Sequence, residues 1–319
     1  SQLKGIGMVA APNFTMRSGT LVVGRQGAPD LTRGMFAVAG TNSRFKVSGG
    51  KIVVMRSVGQ PSVFDVNIQP DSTPVYTGGT FQVGSSLMAS GANFLVRNSH
   101  GFYSLRLVNS GSLNPTLDNR NFNLTVFEND TIDAGTTCLM NNLDLNIGGS
   151  LVKNGTYTGG TGTVRFNGSG SAQSLSGSGT LTCTNFESAN TNGTASVLTV
   201  DIPVTISTAL TVSSLDNVSL GSNTMTVSRT VTNNGEISTS PGKLLLNGTL
   251  KQIVTGTNGA QFGKTEFANN LGFDLQRSFV FNGDVVLTTG IIDLLANRMS
   301  LGQNAVFQGT GLGTTKYIK

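Results

Sequence analysis

The chain has 319 residues, 42 of them Gly, about twice the usual share, and charged residues make up 12%, about half the usual share. With 37% hydrophobic residues, no Trp, 8 Pro and a mean hydropathy of +0.03, this composition excludes charge-driven disorder, a collagen repeat and a coiled coil, and without a stretch of 18 apolar residues no transmembrane helix is expected. The net charge is +5, yet residues 1–56 hold eight basic side chains against the single acid Asp30, a local +7 that leaves −2 for the other 263 residues.

In chain order, the first predicted elements are strand–turn–strand units. Asn13-Phe14-Thr15-Met16-Arg17-Ser18-Gly19-Thr20-Leu21-Val22-Val23 returns as Arg44-Phe45-Lys46-Val47-Ser48-Gly49-Gly50-Lys51-Ile52-Val53-Val54, with Phe14 on Phe45 and Leu21 on Ile52 at an offset of 31. A third copy starts at Gly78-Gly79, 29 residues after Gly49-Gly50. Period-two alternation bounded by Gly is a strand signal. The basic residues of this section, Arg17, Arg25, Arg44, Lys46 and Arg56, form the candidate patch for an anionic partner. No DNA- or RNA-binding motif accompanies them, so nucleic acid is not expected.

Chemistry-bearing residues are sparse further on. The only histidine, His100, follows Ser99 in a loop-like stretch with no G-x-S-x-G turn, and it reads as a loop residue. The densest acids, Glu128, Asp130 and Asp133, lie in Glu128-Asn129-Asp130-Thr131-Ile132-Asp133-Ala134-Gly135. They are the weak candidate set for structural calcium, although the spacing matches no calcium loop; no other cofactor or metal is expected. Cys138 and Cys183 stand 45 residues apart without a CxxC or a His/Cys cluster. They read as small core residues, with a single bridge left open.

The second half repeats at a longer period. Asn154-Gly155 returns as Asn234-Gly235, and Gly162-Thr163-Val164-Arg165-Phe166-Asn167-Gly168 as Gly242-Lys243-Leu244-Leu245-Leu246-Asn247-Gly248, both at an offset of 80. Phe186 matches Phe267, and Leu220-Gly221 matches Leu301-Gly302, at 81. Phe186 is accordingly expected to share a phase with Phe267, as Phe14 does with Phe45. The Thr-x-Thr step at Thr180-Leu181-Thr182-Cys183-Thr184 is not expected to continue turn after turn. No window carries a helical apolar face.

Repeats of this length predict an all-β fold, a right-handed parallel β-helix (β-solenoid) with a differently spaced N-terminal section. The expected division is residues 1–90, basic with a period of about 30, and residues 91–319, a β-helix with super-repeats of about 80 that span three or four turns each. Inward side chains would stack turn upon turn. Gly and Asn would take the corners, where positive φ is needed. Ser, Thr and Asn would form outer ladders that avoid like-charge repulsion.

The runs Val285-Val286-Leu287-Thr288-Thr289-Gly290-Ile291-Ile292-Asp293, Met299-Ser300-Leu301-Gly302-Gln303-Asn304-Ala305 and Leu220-Gly221-Ser222-Asn223-Thr224-Met225-Thr226-Val227, with Asn233-Asn234-Gly235, resemble secreted β-helical surface proteins of Bacteroidota. That resemblance covers about residues 100–319 well and 1–90 loosely. It implies a very large surface protein exported by the type IX pathway, of the filamentous or gliding-motility adhesin type, and Asp71-Ser72-Thr73 resembles an O-glycosylation pattern of such proteins. No type IX sorting domain is visible at the C-terminus, and no basic-then-apolar signal peptide opens the chain at Ser1; either a signal was removed or, as expected here, the chain is a piece of a longer one. The expected role is a non-enzymatic adhesive or structural segment at the cell surface, whose partners are other segments or copies of the same protein, surface glycans or anionic polymers. A self-assembling fibre subunit and a polysaccharide-degrading β-helix enzyme are the alternatives.

Overall fold

The structure, a computed structural model, describes residues 6–8, 13–24, 34–87, 93–109, 111, 113–170, 172–309 and 316–318. Among them the regular elements are all β-strands, paired in parallel. Each strand lies beside one that is a full turn away in sequence, so the fold is the expected β-solenoid. By the proximity of Cα atoms the chain falls into two compact units, Ser1–Gly162 and Thr163–Lys319.

The first unit stacks strands in three ladders. One runs Ile6–Met8, Phe36–Gly40, Val66–Pro70, Asn93–Asn98, Thr116–Asn119, Thr137–Leu139 and Thr156–Thr158. A second runs Asn13–Met16, Arg44–Val54, Val75–Val83, Ser104–Leu107, Asp130–Ile132 and Leu151–Lys153. Leu124–Val126 and Leu145–Ile147 make the third. In the second ladder Phe14 pairs with Phe45 and Leu21 with Ile52, so the offset of 31 is one turn of the solenoid. Later turns are shorter: Phe81 pairs with Leu105, and Asp130 with Leu151, offsets of 24 and 21. The residues removed come from the connection between the second and first ladders. It shrinks from residues 55–65 in the early turns to residues 154–155 at the end of the unit.

Alternation explains why these segments are strands. In Asn13–Met16 and in Arg44–Val47 every second residue is buried and its neighbours are exposed. The buried set forms an aromatic interior: Phe14 stacks on Phe45 at 5.3 Å between centroids, Phe36 meets Phe14 edge-on at 5.3 Å, and Phe81 leans on Phe102 at 4.7 Å. Each such ring contributes about 2–3 kcal/mol by leaving water. The strand Arg44–Val54 bends at Gly50, whose φ is +83° and whose Cα faces the Gly19 carbonyl closely enough to exclude a side chain.

The second unit has two ladders. The first runs Ala172–Gly177, Ser196–Val200, Asp216–Ser219, Glu236–Ser238, Gln261–Phe262, Phe279–Phe281 and Met299–Leu301. The second contains long strands, Leu181–Ser188, Val204–Val212 and Val285–Asp293, each wide enough for two columns of side chains. Between them the two columns are carried by separate short strands, such as Thr224–Val227 beside Thr230–Asn233. One inward column is Cys183, Ile206, Val227, Leu246, Phe267 and Leu287; the other is Phe186, Leu210, Val231, Val254 and Leu275.

These columns correct one expectation. Phe186 and Phe267 do not share a phase. Four turns, 84 residues, separate Cys183 from Phe267, and an offset of 81 lands in the neighbouring column. A single long strand spans both columns, so a three-residue slip keeps the alternation nearly intact and hides the change. The Thr-x-Thr step does not continue turn after turn, as expected: Thr224 and Thr226 face Lys243 and Leu245 on the next turn, although single columns of threonine, Thr182, Thr205 and Thr226 in one and Thr211, Thr232 and Thr255 in another, run for three turns.

Asn does take corner positions: Asn42, Asn121, Asn141 and Asn142 have positive φ. Leu215 and Leu295 also have positive φ, at 68° and 58°, with largely exposed side chains, and nothing in the sequence signals this.

Candidate functional site

Two sets of residues were singled out by chemistry, the basic patch and the acids at 128–133. Arg44 and Lys46 alternate with buried Phe45 and Val47, so both project from the outer face of their strand. Arg17 is exposed and directly follows Asn13–Met16, the strand paired with Arg44–Val47. Counting by twos from Asn13 and Thr15 puts Arg17 on the same outer face. Arg56 is elsewhere: it is half-buried beyond the end of its strand, with its stem near Gly24. Arg25 lies outside the described residues. The structure therefore brings together Arg17, Arg44 and Lys46.

The acids are not brought together. Glu128 is exposed. Asp133 forms an ion pair with Arg106 at 3.0 Å. Asp130 is fully buried, because it occupies the inward position that Leu105 holds on the turn before and Leu151 on the turn after. Neither of its carboxyl oxygens has a hydrogen-bond partner among the described residues. Burial pushes its pKa from an ordinary 3.8 to about 7. At pH 7 about half of these carboxyls keep their proton, and below that pH the neutral acid prevails. Among the described residues no three His, Cys, Asp or Glu side chains gather as a metal site.

Most other acids hold the fold in place. Arg165–Glu187 and Lys243–Glu266 pair at 2.6 Å across adjacent turns, and Lys251 pairs with Asp274 in the same way. Asp118 holds Arg120 at 2.7 Å and also accepts from Asn141. Asp216 is buried and accepts from Ser188, Ser196 and the Asn190 amide. Asp65, also buried, accepts from the Val58 and Leu95 amides; burial still raises its pKa to about 6. Asp284 accepts from the Val306 amide, and Asp293 from the Leu295 amide.

His100 sits half-buried in a turn folded by Asn98, whose Oδ1 accepts from the His100 and Gly101 amides. Its Nδ1 lies 2.7 Å from Ser99 Oγ, a contact between sequence neighbours, and burial lowers its pKa. Both cysteines are buried free thiols, with Cys138 Sγ 3.8 Å from Met140 Sδ. Asp71 and Thr73 of the O-glycosylation-like pattern are exposed, while Ser72 hydrogen-bonds to the Ser43 carbonyl through its amide and its hydroxyl.

Concavities are shallow. In the first unit an open groove of about 520 Å³ has Lys51, Gln82, Ser85, Leu87 and Arg106 in its wall. In the second, one of about 420 Å³ runs past Leu215, Asn234, Glu236 and Asn258. No helix among the described residues is long and apolar enough to cross a membrane. Comparison with protein-family models, curated proteins and solved structures returns no match. What the chain does must therefore be argued from its own geometry.

Asp130 is the residue that sequence reasoning misplaced. Its string, rich in acids and ending in Ala-Gly, makes it a weak calcium candidate. The usable signal was the spacing of Leu105, Asp130 and Leu151, one turn apart each time, which puts an acid at an apolar phase.

Proposed function

We propose that this chain is a non-enzymatic structural segment of a large extracellular surface protein, with an adhesive role. The β-solenoid fold itself is consistent with a structural or surface protein and with a β-helix enzyme. The observation that favours the former is the commitment of the carboxylates. Sugar-cleaving β-helices need clustered acids free for proton transfer or metal binding. Here Glu187, Glu266, Asp274 and Asp133 tie one turn to the next, and Asp65, Asp216, Asp284 and Asp293 hold backbone amides. The resemblance to Bacteroidota surface proteins supports the extracellular setting and the type IX route.

The test is turnover against stability. Purified chain incubated with polygalacturonate and alginate is expected to release no new chain ends above buffer. Asp216→Asn is expected to lower stability by about 1–3 kcal/mol, because two hydroxyls and an amide lose a charged acceptor. Sustained release of chain ends that disappears in Asp130→Asn or Asp133→Asn would overturn the non-enzymatic reading.

A further inference from the structure

We infer that the outer face of Asn13–Met16 and Arg44–Val47, with Arg17, Arg44 and Lys46 at its centre, is a binding site for a linear acidic polysaccharide. This assignment rests on the surface-protein reading and gives it a ligand class. The first observation is lack of neutralisation. Among the described residues none of these three cations forms an ion pair, whereas Arg106, Arg120, Arg165, Lys243 and Lys251 each hold a carboxylate. Among the described residues the exposed acid on the neighbouring turn is Asp71, which accepts from the Asn42 amide. Between residues 34 and 64 there is no acid at all.

The second observation is rigidity. Arg44 and Lys46 stand on one strand and Arg17 directly follows its neighbour, and the undersides of both strands are locked by the stacked rings of Phe14 and Phe45 and by buried Met16 and Val47. A charge presented on a fixed strand loses less freedom on binding than one on a loop.

The third is spacing. Arg44 and Lys46 are two residues apart, roughly 7 Å along the strand, and neighbouring strands lie roughly 4.8 Å apart. Carboxylates or sulfates along an extended sugar chain recur on that same scale. Beside the cations stand Asn13, Thr15 and Ser48, which can hydrogen-bond to sugar hydroxyls, and on the next turn the exposed Val75, opposite Lys46, offers an apolar edge to a sugar ring. Neither strand carries an aromatic on its outer face, since Phe14 and Phe45 are both buried, so bases of a single-stranded nucleic acid have no stacking platform here.

The experiment is binding of the chain to polygalacturonate and to heparin, a carboxylated and a sulfated probe. Neutral dextran, a single-stranded oligo-dT and phosphatidylglycerol vesicles are measured beside them, at about 0.05 and 0.15 M salt, which spans Debye lengths of roughly 8–14 Å. At least one acidic polysaccharide is expected to bind, more weakly at the higher salt, and in preference to all three comparators. The double variant Arg44→Glu/Lys46→Glu should weaken that binding about tenfold or more, and Arg44→Gln/Lys46→Gln by a smaller factor. Arg277→Glu/Arg298→Glu makes the same change in net charge at two other exposed sites and should shift binding less than about twofold. Melting temperatures equal to that of the parent establish that the variants fold.

No binding to either polysaccharide, or equal losses in the two charge-reversed variants, would overturn the assignment. So would tighter binding to oligo-dT or to vesicles that depends on Arg44 and Lys46. Any of these results leaves the surface-protein reading standing, because that reading is decided by where the protein is found in the cell.

Discussion

Asp130 carries the sharpest consequence at the scale of single residues. Its carboxyl is fully buried and titrates near 7 in the folded chain, against an ordinary 3.8. The folded state therefore keeps a proton that the unfolded state has released between those two values. The stability this group contributes is fully present below about pH 4 and is lost as pH rises through about 7. Asp65 acts in the same direction over a narrower window, up to about 6. Cys138 faces the same interior, and the Asp130 charge adds to burial in raising its thiol. Replacing Asp130 with Asn removes this titration. Between pH 4 and pH 8 the parent should lose about 2–4 kcal/mol more than Asp130→Asn, measured by urea unfolding at each pH. Parallel pH profiles for the two proteins would show that Asp130 is solvated in the folded chain.

At the scale of elements, stacking in register makes an inward position count on several turns at once. Phe45 contacts Phe14, Phe36 and Tyr76, so Phe45→Ala should cost about 3–5 kcal/mol, while Arg44→Ala next to it should stay within about 0.5 kcal/mol. Corners impose a different constraint. Gly290 bends the strand Val285–Asp293 at a φ of +87°, and a Cβ there would run into the Asn269 carbonyl oxygen. Gly290→Ala is expected to cost more than the roughly 1 kcal/mol of positive φ alone, read as a fall in midpoint in the same unfolding assay.

This scale also shows what the sequence made legible. Phe14 over Phe45 could be read because one turn there is one repeat, with apolar phase and residue type agreeing. Phe186 and Phe267 misled because each long strand carries two columns, and an offset three residues short of four turns still alternates. Asp130 misled for the complementary reason: residue type pointed outward while phase pointed inward, and in a stacked ladder phase wins. The assembly of Arg17, Arg44 and Lys46 on one face followed from alternation, but the exclusion of Arg56 needed the bend at Gly50.

At the scale of the whole molecule, low charge and high Gly, Ser, Thr and Asn content acquire a common cause. Identical faces recur about every twenty residues in the second unit, at offsets such as 21 and 19, so a charge at one phase meets its own kind unless it alternates with its opposite. The cross-turn pairs Arg165–Glu187 and Lys243–Glu266 are that alternation. Asn side chains bridge turns elsewhere, as Asn223 does to the Val200 carbonyl and Asn297 to the Leu275 carbonyl. Polar groups thus serve stacking, and Arg17, Arg44 and Lys46, which hold no carboxylate among the described residues, share one outer face of the first unit, where the ligand is assigned. The central claim, a structural segment displayed outside the cell, is tested most directly by labelling intact and permeabilised cells with an antibody raised against this chain. The account predicts equal labelling of both, removed from intact cells by external protease. Labelling that appears only after permeabilisation would contradict it.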